Sequence, residues 1–446
     1  MTFPSTRPSA ELPAGPSAPP WTQPATGPST RPSTARIGRP DLADLSGFWA
    51  APIAERAAGF AALRERDPVP FLAEPTLYSS PPGPGYWGLT RLDDIVAASR
   101  NPGVFISGEG IGIFDRSPEL SESFGPSIIE MDDPRHARLR RIVSRGFTPR
   151  RVTDLIGSVD RIAGQIVDQV LDAGECDAVT QIAAQLPLTI ICELMGVPAS
   201  EYGFVFDRTN ILLGPSDPEY IPPGQNIRDA MVRAGRELTG LMREMAAHRR
   251  AHPTGDLTSA LVNAEVGGEA LTPEELAGFF NLLVVAGNET TRNAISWGIQ
   301  LLTEHPDQRA AWLADLDGVT PTAVDEIVRW ASPVIYMRRT LATDTTLGGQ
   351  AMAAGDKAAM FYWAANRDPA HFSDPDAFDV RRSPNPHIGF GAPGPHFCLG
   401  AHLARQEISV MFRELLTRVP GIHATAEPRR LRSMFINGIK HLPVAF

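Results

Sequence analysis

Apolar positions three and four residues apart dominate this chain, and they predict helices. Between 149 and about 173, Val152, Leu155, Ile156, Val159, Ile162, Ile166, Val167 and Val170 fall on one face. That is an amphipathic helix packed on a core. A longer segment begins at Thr272-Pro273-Glu274-Glu275, with a capping hydroxyl, Pro at the first helical position and Glu at the third. It predicts a helix reaching about Glu304, where His305-Pro306 stops it. Thirty or so residues make about 45 Å of helix, enough to cross a whole domain. Phe279, Phe280, Leu282, Leu283, Val284 and Val285 leave it apolar nearly all round, so it should be buried. Pro198, Pro215, Pro218, Pro222 and Pro223 predict short helices and mobile loops between about 199 and 227. Strand patterns are fewer, at 86–90, 337–341 and 358–363. The predicted fold class is mainly α with a small β portion.

Residues 1–44 change the picture at one end. They are rich in Pro, Ser, Thr and Ala, cannot offset their ordering entropy, and predict a flexible tail ahead of one domain at 45–446. No internal repeat is present, which excludes solenoids and propellers. With 41 basic and 51 acidic residues the net charge is -10, so the chain has no general attraction for nucleic acid. Three cysteines, Cys176, Cys192 and Cys398, fit a reducing cytoplasm and not a disulfide scaffold. Neither a secretory signal nor an uncharged apolar run long enough for a membrane span is visible, so a cytoplasmic location is expected.

The candidate chemistry lies in residues 387–405, HIGFGAPGPHFCLGAHLAR. Glycines and prolines crowd before a single cysteine, and a helical pattern follows it. Gly389, Gly391 and Gly394 permit unusual backbone angles and close approach to a flat partner. Gly400 and Ala401 remove bulk just after Cys398. A sulfur at a helix N-terminus is favoured as the thiolate, the form that ligates iron. Taken alone, Cys398 is equally well a buried free thiol in a turn. Two further features stand upstream. Ala286-Gly287-Asn288-Glu289-Thr290-Thr291 interrupts the long apolar helix with small residues, an acid and hydroxyls. Glu326-Ile327-Val328-Arg329 places an acid and a base at i and i+3.

Small-acid-threonine on a long helix, E-x-x-R, then a glycine-rich cysteine loop near the C-terminus: in this order the chain resembles the cytochrome P450 family, over residues 45 to 446. The resemblance implies a single triangular, mostly helical domain holding haem b. It implies that Cys398 is the axial ligand of the iron, and that Glu289 and Thr290 deliver protons. By the same resemblance His136, Arg140, Arg339 and His396 hold the haem propionates, Gly400 borders the haem, and Glu326, Arg329 and Arg382 form a structural set. One departure stands out. The family's usual aromatic lies seven residues before the cysteine, but here Gly391 holds that place and Phe390 lies eight before. That puts the packing of Phe390 against the sulfur in question. Ile111, Phe114, Val285, Ala286, Val334, Ile335, Phe435 and Ile436 are expected to border the substrate pocket by analogy.

NPNPHIGFG, MDDPRHARLRRIVSRGFTPR and INGIKHLPVAF are similar to a bacterial subgroup hydroxylating methyl-branched lipids, isoprenoids and sterol side chains, often at a terminal methyl. The expected function is therefore that of a monooxygenase acting on such a hydrophobic substrate. No flavin or iron-sulfur region is recognisable, so electrons should come from a separate ferredoxin and its reductase. Arg140, Arg141 or Arg145 would supply the basic docking patch, and a monomer is expected. Other readings stay open: a peroxide-using, coupling or dehydrogenating haem-thiolate enzyme, a non-catalytic haem or lipid binder, or a hydrolase pairing Cys398 with His396.

Overall fold

Thr272 caps the longest helix of the fold, Pro273–Glu304, as its local sequence requires. The Thr272 hydroxyl accepts from the Glu275 amide at 3.1 Å, and the Glu275 carboxylate accepts from the Thr272 amide at 3.1 Å. Both bonds satisfy first-turn amides that have no partner within the helix. The computed structural model describes residues 40–76, 83–146, 149–263 and 270–446, without the side chains of 145–154. The predicted tail lies almost wholly outside the described residues. Leu42 is nevertheless already buried, with its carbonyl accepting from the Trp49 indole at 2.9 Å.

The 32 residues of the long helix span about 48 Å. From Thr291 to Leu302 every residue is buried, as the apolar pattern predicts. Its first half differs. Leu282, Leu283, Ala286, Gly287 and Thr290, three and four apart, stay partly open because they border cavities. Helices Pro149–Leu171, Leu316–Ala331 and Ala401–Arg418 share one apolar core with the buried half, through Ile162, Ile166, Val324, Ile327, Met411 and Phe412. Gln185–Met195, Tyr202–Leu213 and Ile227–Ala251 build a second core against the other half.

A five-stranded sheet flanks these helices, in the order Phe71–Leu72, Tyr86–Leu89, Lys357–Met360, Met337–Leu341 and Phe105–Ile106. Tyr86 pairs with Lys357 in parallel, and Arg339 pairs with Ala358 antiparallel. Side chains alternate along a strand, so Arg338 and Arg339 leave on opposite faces. Arg338 goes to Asp115 at 2.6 Å, whereas Arg339 faces the cavity of Cys398.

One expectation needs correction. The strand predicted at 358–363 ends at Met360, and Tyr362–Ala365 is a helical turn. A short buried apolar run does not distinguish strand from helix. Between 199 and 227, Tyr202–Leu213 is a regular helix of 12 residues, and only the proline-bearing stretch after it is irregular. Among the described residues no helix is long and apolar enough to cross a membrane.

Candidate functional site

Cys398 lies on the floor of a cavity whose walls come from distant parts of the chain. Ala286, Gly287 and Thr290 of the long helix face it, together with Phe390, Leu403 and Val328. The loop before Cys398 has no regular structure, and two glycines shape it. Gly391 has φ +88°, a conformation costly for any side chain. Gly394 passes so near the Ser99 carbonyl that a Cβ would stand 2.4 Å from the oxygen. The Cys398 amide donates to the Phe390 carbonyl at 3.0 Å, closing the loop under the sulfur. The Phe390 ring packs beneath the Arg405 guanidinium at 4.3 Å. Burial raises the Cys398 thiol pKa, against the opposing pull of the Gly400 amide, Arg140 and Arg405.

Four cationic or titratable side chains gather at the same cavity. Arg339 is buried, and its hydrogen bond goes to the Arg338 carbonyl at 2.8 Å. Among the described residues it has no carboxylate within ion-pair distance. Arg140 donates to the carbonyls of Pro395 and Phe397, each at 2.8 Å, and so braces the cysteine loop. The rings of His136 and His396 lie 4.3 Å apart. His396 meets the Ser107 hydroxyl at 3.1 Å, a contact the sequence did not suggest. Burial, with Arg339, His136 and Arg140 close by, pushes the His396 pKa down to about 3. The positive charge of this cluster rests on Arg339 and Arg140, while the Asp133 carboxylate meets the His136 ring at 3.4 Å.

A second cavity joins the first at Ala286, Thr290, Val334 and Met337. Ile111, Phe114, Val285, Ala286, Val334, Phe435 and Ile436 line it, as the sequence suggests. Ile335 does not: it is fully buried in an aromatic cluster with Tyr336 and Phe361. Its neighbours Val334 and Ile436 form a bridge, so Ile335 points away. Asn437 fixes this wall. It accepts from Arg56 at 3.1 Å and from the Trp297 indole at 2.8 Å, and donates to the Ala331 carbonyl at 2.6 Å.

Thr290 stands at the junction, its hydroxyl donating to the Ala286 carbonyl at 2.8 Å. Glu289 borders neither cavity. Successive helical residues point about 100° apart, and Glu289 turns inward to an ion pair with Arg292 and a 2.9 Å bond from Asn293. Arg292 in turn donates to Asn210 at 2.9 Å.

Comparison with known proteins accounts for this arrangement. The family model described as Cytochrome P450 matches residues 219–420. The methyl-branched lipid omega-hydroxylase of Mycobacterium tuberculosis is 49% identical over 402 residues, 90% of this chain and 93% of that protein. The steroid C26-monooxygenase of Rhodococcus jostii is 40% identical over 391 residues, 87% of this chain and 81% of that protein. A Mycobacterium marinum cytochrome P450 solved with pseudoionone has 41% identity and a TM-score of 0.86, covering 92% of this chain and 100% of that one. This chain belongs to the cytochrome P450 family.

The cofactor of a cytochrome P450 is haem b, and the Cys398 cavity fits it. Phe397 and Leu399, either side of Cys398, are the exposed large hydrophobic residues among those described, and both face the cavity. A Cβ at Gly400 would meet nothing within 4 Å, so that wall is open. Arg339 and Arg140 give this cavity a positive edge, which fits the charge of two propionates. The E-x-x-R helix lies behind the cysteine loop. Glu326 takes Arg329 at 2.7 Å and 2.8 Å, Arg382 at 3.1 Å and Asn385 at 3.2 Å. Arg329 also donates to the carbonyls of Asn366, Pro375 and Ala377, which ties the segment leading into the cysteine loop to the helix.

Sequence reasoning missed Glu407. It lines the haem cavity from helix Ala401–Arg418, bonded to Thr291, and burial pushes its pKa up to about 8. Nothing in its local sequence marks it, because its burial depends on the long helix. The folded protein holds Glu407 protonated up to about pH 8, whereas the unfolded chain ionises it above about pH 4.3. Its contribution to stability is thus complete at low pH and lost as pH rises toward 8. A Glu407→Gln variant is expected to flatten the decline in urea midpoint between pH 5.5 and 8, by about 3 kcal/mol at 1.36 kcal/mol per pH unit. Equal slopes in the two proteins would count against a neutral Glu407.

Proposed function

We propose that this cytochrome P450 hydroxylates a methyl-branched lipid, isoprenoid or sterol side chain at or near a terminal methyl. The observation that carries this is an apolar cavity that meets the cavity of Cys398 at Thr290. Two relatives described above are named for omega and C26 hydroxylation, both at chain ends. The reaction takes RH, O2, two electrons and two protons to ROH and water.

When bound, haem b supplies the oxygen chemistry. Cys398 would hold its iron through the thiolate, which the Gly400 amide directed at the sulfur supports. Arg339, Arg140, His136 and His396 hold the propionates. Gly400 leaves room at the ring. Ala286 and Gly287 let the cofactor and substrate approach the long helix closely. The Thr290 hydroxyl, held by the Ala286 carbonyl, offers its lone pairs and proton at the junction of the two cavities. Glu289 is held by Arg292, so it would have to turn from that pair and take up a proton before handing one to Thr290.

Electrons come from a ferredoxin and its reductase, and the enzyme works as a monomer in the cytoplasm. Arg140, which also braces the loop carbonyls, and Arg141, on the exposed face of the same helix, are the candidate docking cations; the Arg145 side chain lies outside the described residues.

Titration of the holoenzyme with a methyl-branched acid, an isoprenoid ketone, a sterol enone and a straight-chain acid tests the substrate class. A low-to-high-spin Soret shift with the branched ligands, and terminal alcohols on turnover with reductant, are expected. A normal carbonyl spectrum with no shift for any of them would remove the substrate class and leave the monooxygenase.

A further inference from the structure

Four charged residues reach the substrate cavity. Asp115, Arg116, Arg228 and Arg432 all line it, among walls that are otherwise mainly apolar. Two of the four are already neutralised. Asp115 lies 2.6 Å from Arg338 and 2.8 Å from Lys357. Arg116 pairs with Glu130 at 2.9 Å and covers the Phe124 ring at 4.9 Å. Arg228 and Arg432 have no ion pair and no side-chain hydrogen bond among the described residues. Asp217, the acid nearest in bonding to Arg432, accepts from its backbone amide at 3.1 Å but gives its other oxygen to Lys440 at 2.8 Å. Asp229 follows Arg228 directly in the helix and so points away from it.

Arg228 also lies in the first turn of helix Ile227–Ala251, whose N-terminus carries partial positive charge. Two unpaired guanidiniums, both reaching solvent, thus line one cavity. Thr290 stands at the junction with the haem cavity. Along the long helix the lining runs from Gly278 to Thr290, about 18 Å at 1.5 Å per residue. That length suits an extended acyl or branched alkyl chain.

We infer that Arg228 and Arg432 bind the carboxylate of a long-chain, branched lipid acid, and so present its far end to the haem. This rests on the hydroxylase reading above and narrows it: the substrate is an anion, and terminal oxidation follows from anchoring the head. Each guanidinium offers several donors in a planar fork that matches a carboxylate. The apolar walls exclude water from the chain between the two ends.

The test is a Soret titration of the holoenzyme with a methyl-branched long-chain acid, its methyl ester and the corresponding primary alcohol. The wild type is compared with the Arg228→Gln/Arg432→Gln and Arg228→Lys/Arg432→Lys double variants. The wild type should bind the acid about tenfold more tightly than the ester, or 1.4 kcal/mol. The glutamine variant should lose that preference while keeping its affinity for ester and alcohol, and the lysine variant should regain part of it. Products from the acid should shift from the terminal carbon to inner positions when the anchors are removed. Equal wild-type affinity for acid and ester, or equal weakening of all three ligands in the glutamine variant, would overturn the head-group site. Terminal hydroxylation of the ester would then still leave the lipid-hydroxylase reading standing. No spin shift with acid, ester or alcohol would overturn both.

Discussion

A Cys398→Ala variant is expected to lose the reduced carbonyl band at about 450 nm that marks thiolate ligation, and to fall at least a thousandfold in turnover, about 4 kcal/mol. The reasoning separates ligation from folding. Cys398 contributes its amide, not its side chain, to the bond with the Phe390 carbonyl, so the loop keeps its closure. Gly391 and Gly394 set the loop's path independently of the sulfur. The variant should therefore keep its far-ultraviolet circular dichroism and near-native urea midpoint while its spectrum changes. A retained band would remove Cys398 from the iron. Loss of structure together with the band would show that the thiol holds the loop as well.

Glu326→Ala should act in the opposite way, on the fold before the chemistry. Glu326 and Arg329 are fully buried and Arg382 nearly so. One carboxylate neutralises both guanidiniums and also accepts the Asp379 amide at 3.0 Å. Removing it strands two buried charges, a loss of about 3–5 kcal/mol. The segment held by Arg329 leads from Asn366 to the cysteine loop, so haem retention should fall as well. Glu326→Gln, which keeps the shape and some hydrogen bonds, should lie between wild type and alanine. Urea midpoints and haem content per protein measure both effects. A drop below about 1 kcal/mol in the alanine variant would mean that this set does not hold the segment.

What the sequence made legible was local or carried by short spacing. The long helix declared itself through Thr272, Pro273 and Glu275, because a capping box uses residues only three apart. Cys398, Glu326 and Arg329 stood out for the same reason. Arg382 was placed through family likeness, and it does reach Glu326. The remainder depends on contacts between distant segments. Glu407 becomes buried only where its helix meets Thr291. Arg228 and Arg432 belong to one cavity only after the C-terminal segment folds back beside the start of helix Ile227–Ala251. Ile335 was misplaced because analogy names a segment, whereas alternation decides which of its side chains face inward. Adjacency in sequence likewise paired Glu289 with Thr290, while helical rotation sends them to different surroundings.

Asn437 has a consequence for how this enzyme could diversify. It fastens four separated stretches of chain at the wall formed by Val334 and Ile436, so that wall has little freedom to adapt. Tyr202–Leu213 is tied only pairwise, by Arg292 to Asn210 and by Arg208 to Glu237, and among the described residues the Arg228 side chain at the start of Ile227–Ala251 is not tied at all. A change of guest is then met on the side that carries Arg228, where the head is held, and moving that anchor moves the carbon presented at Thr290. Evolution, or a directed library, can therefore retune the point of oxidation by repositioning the head anchor while the wall at Asn437 stays as it is.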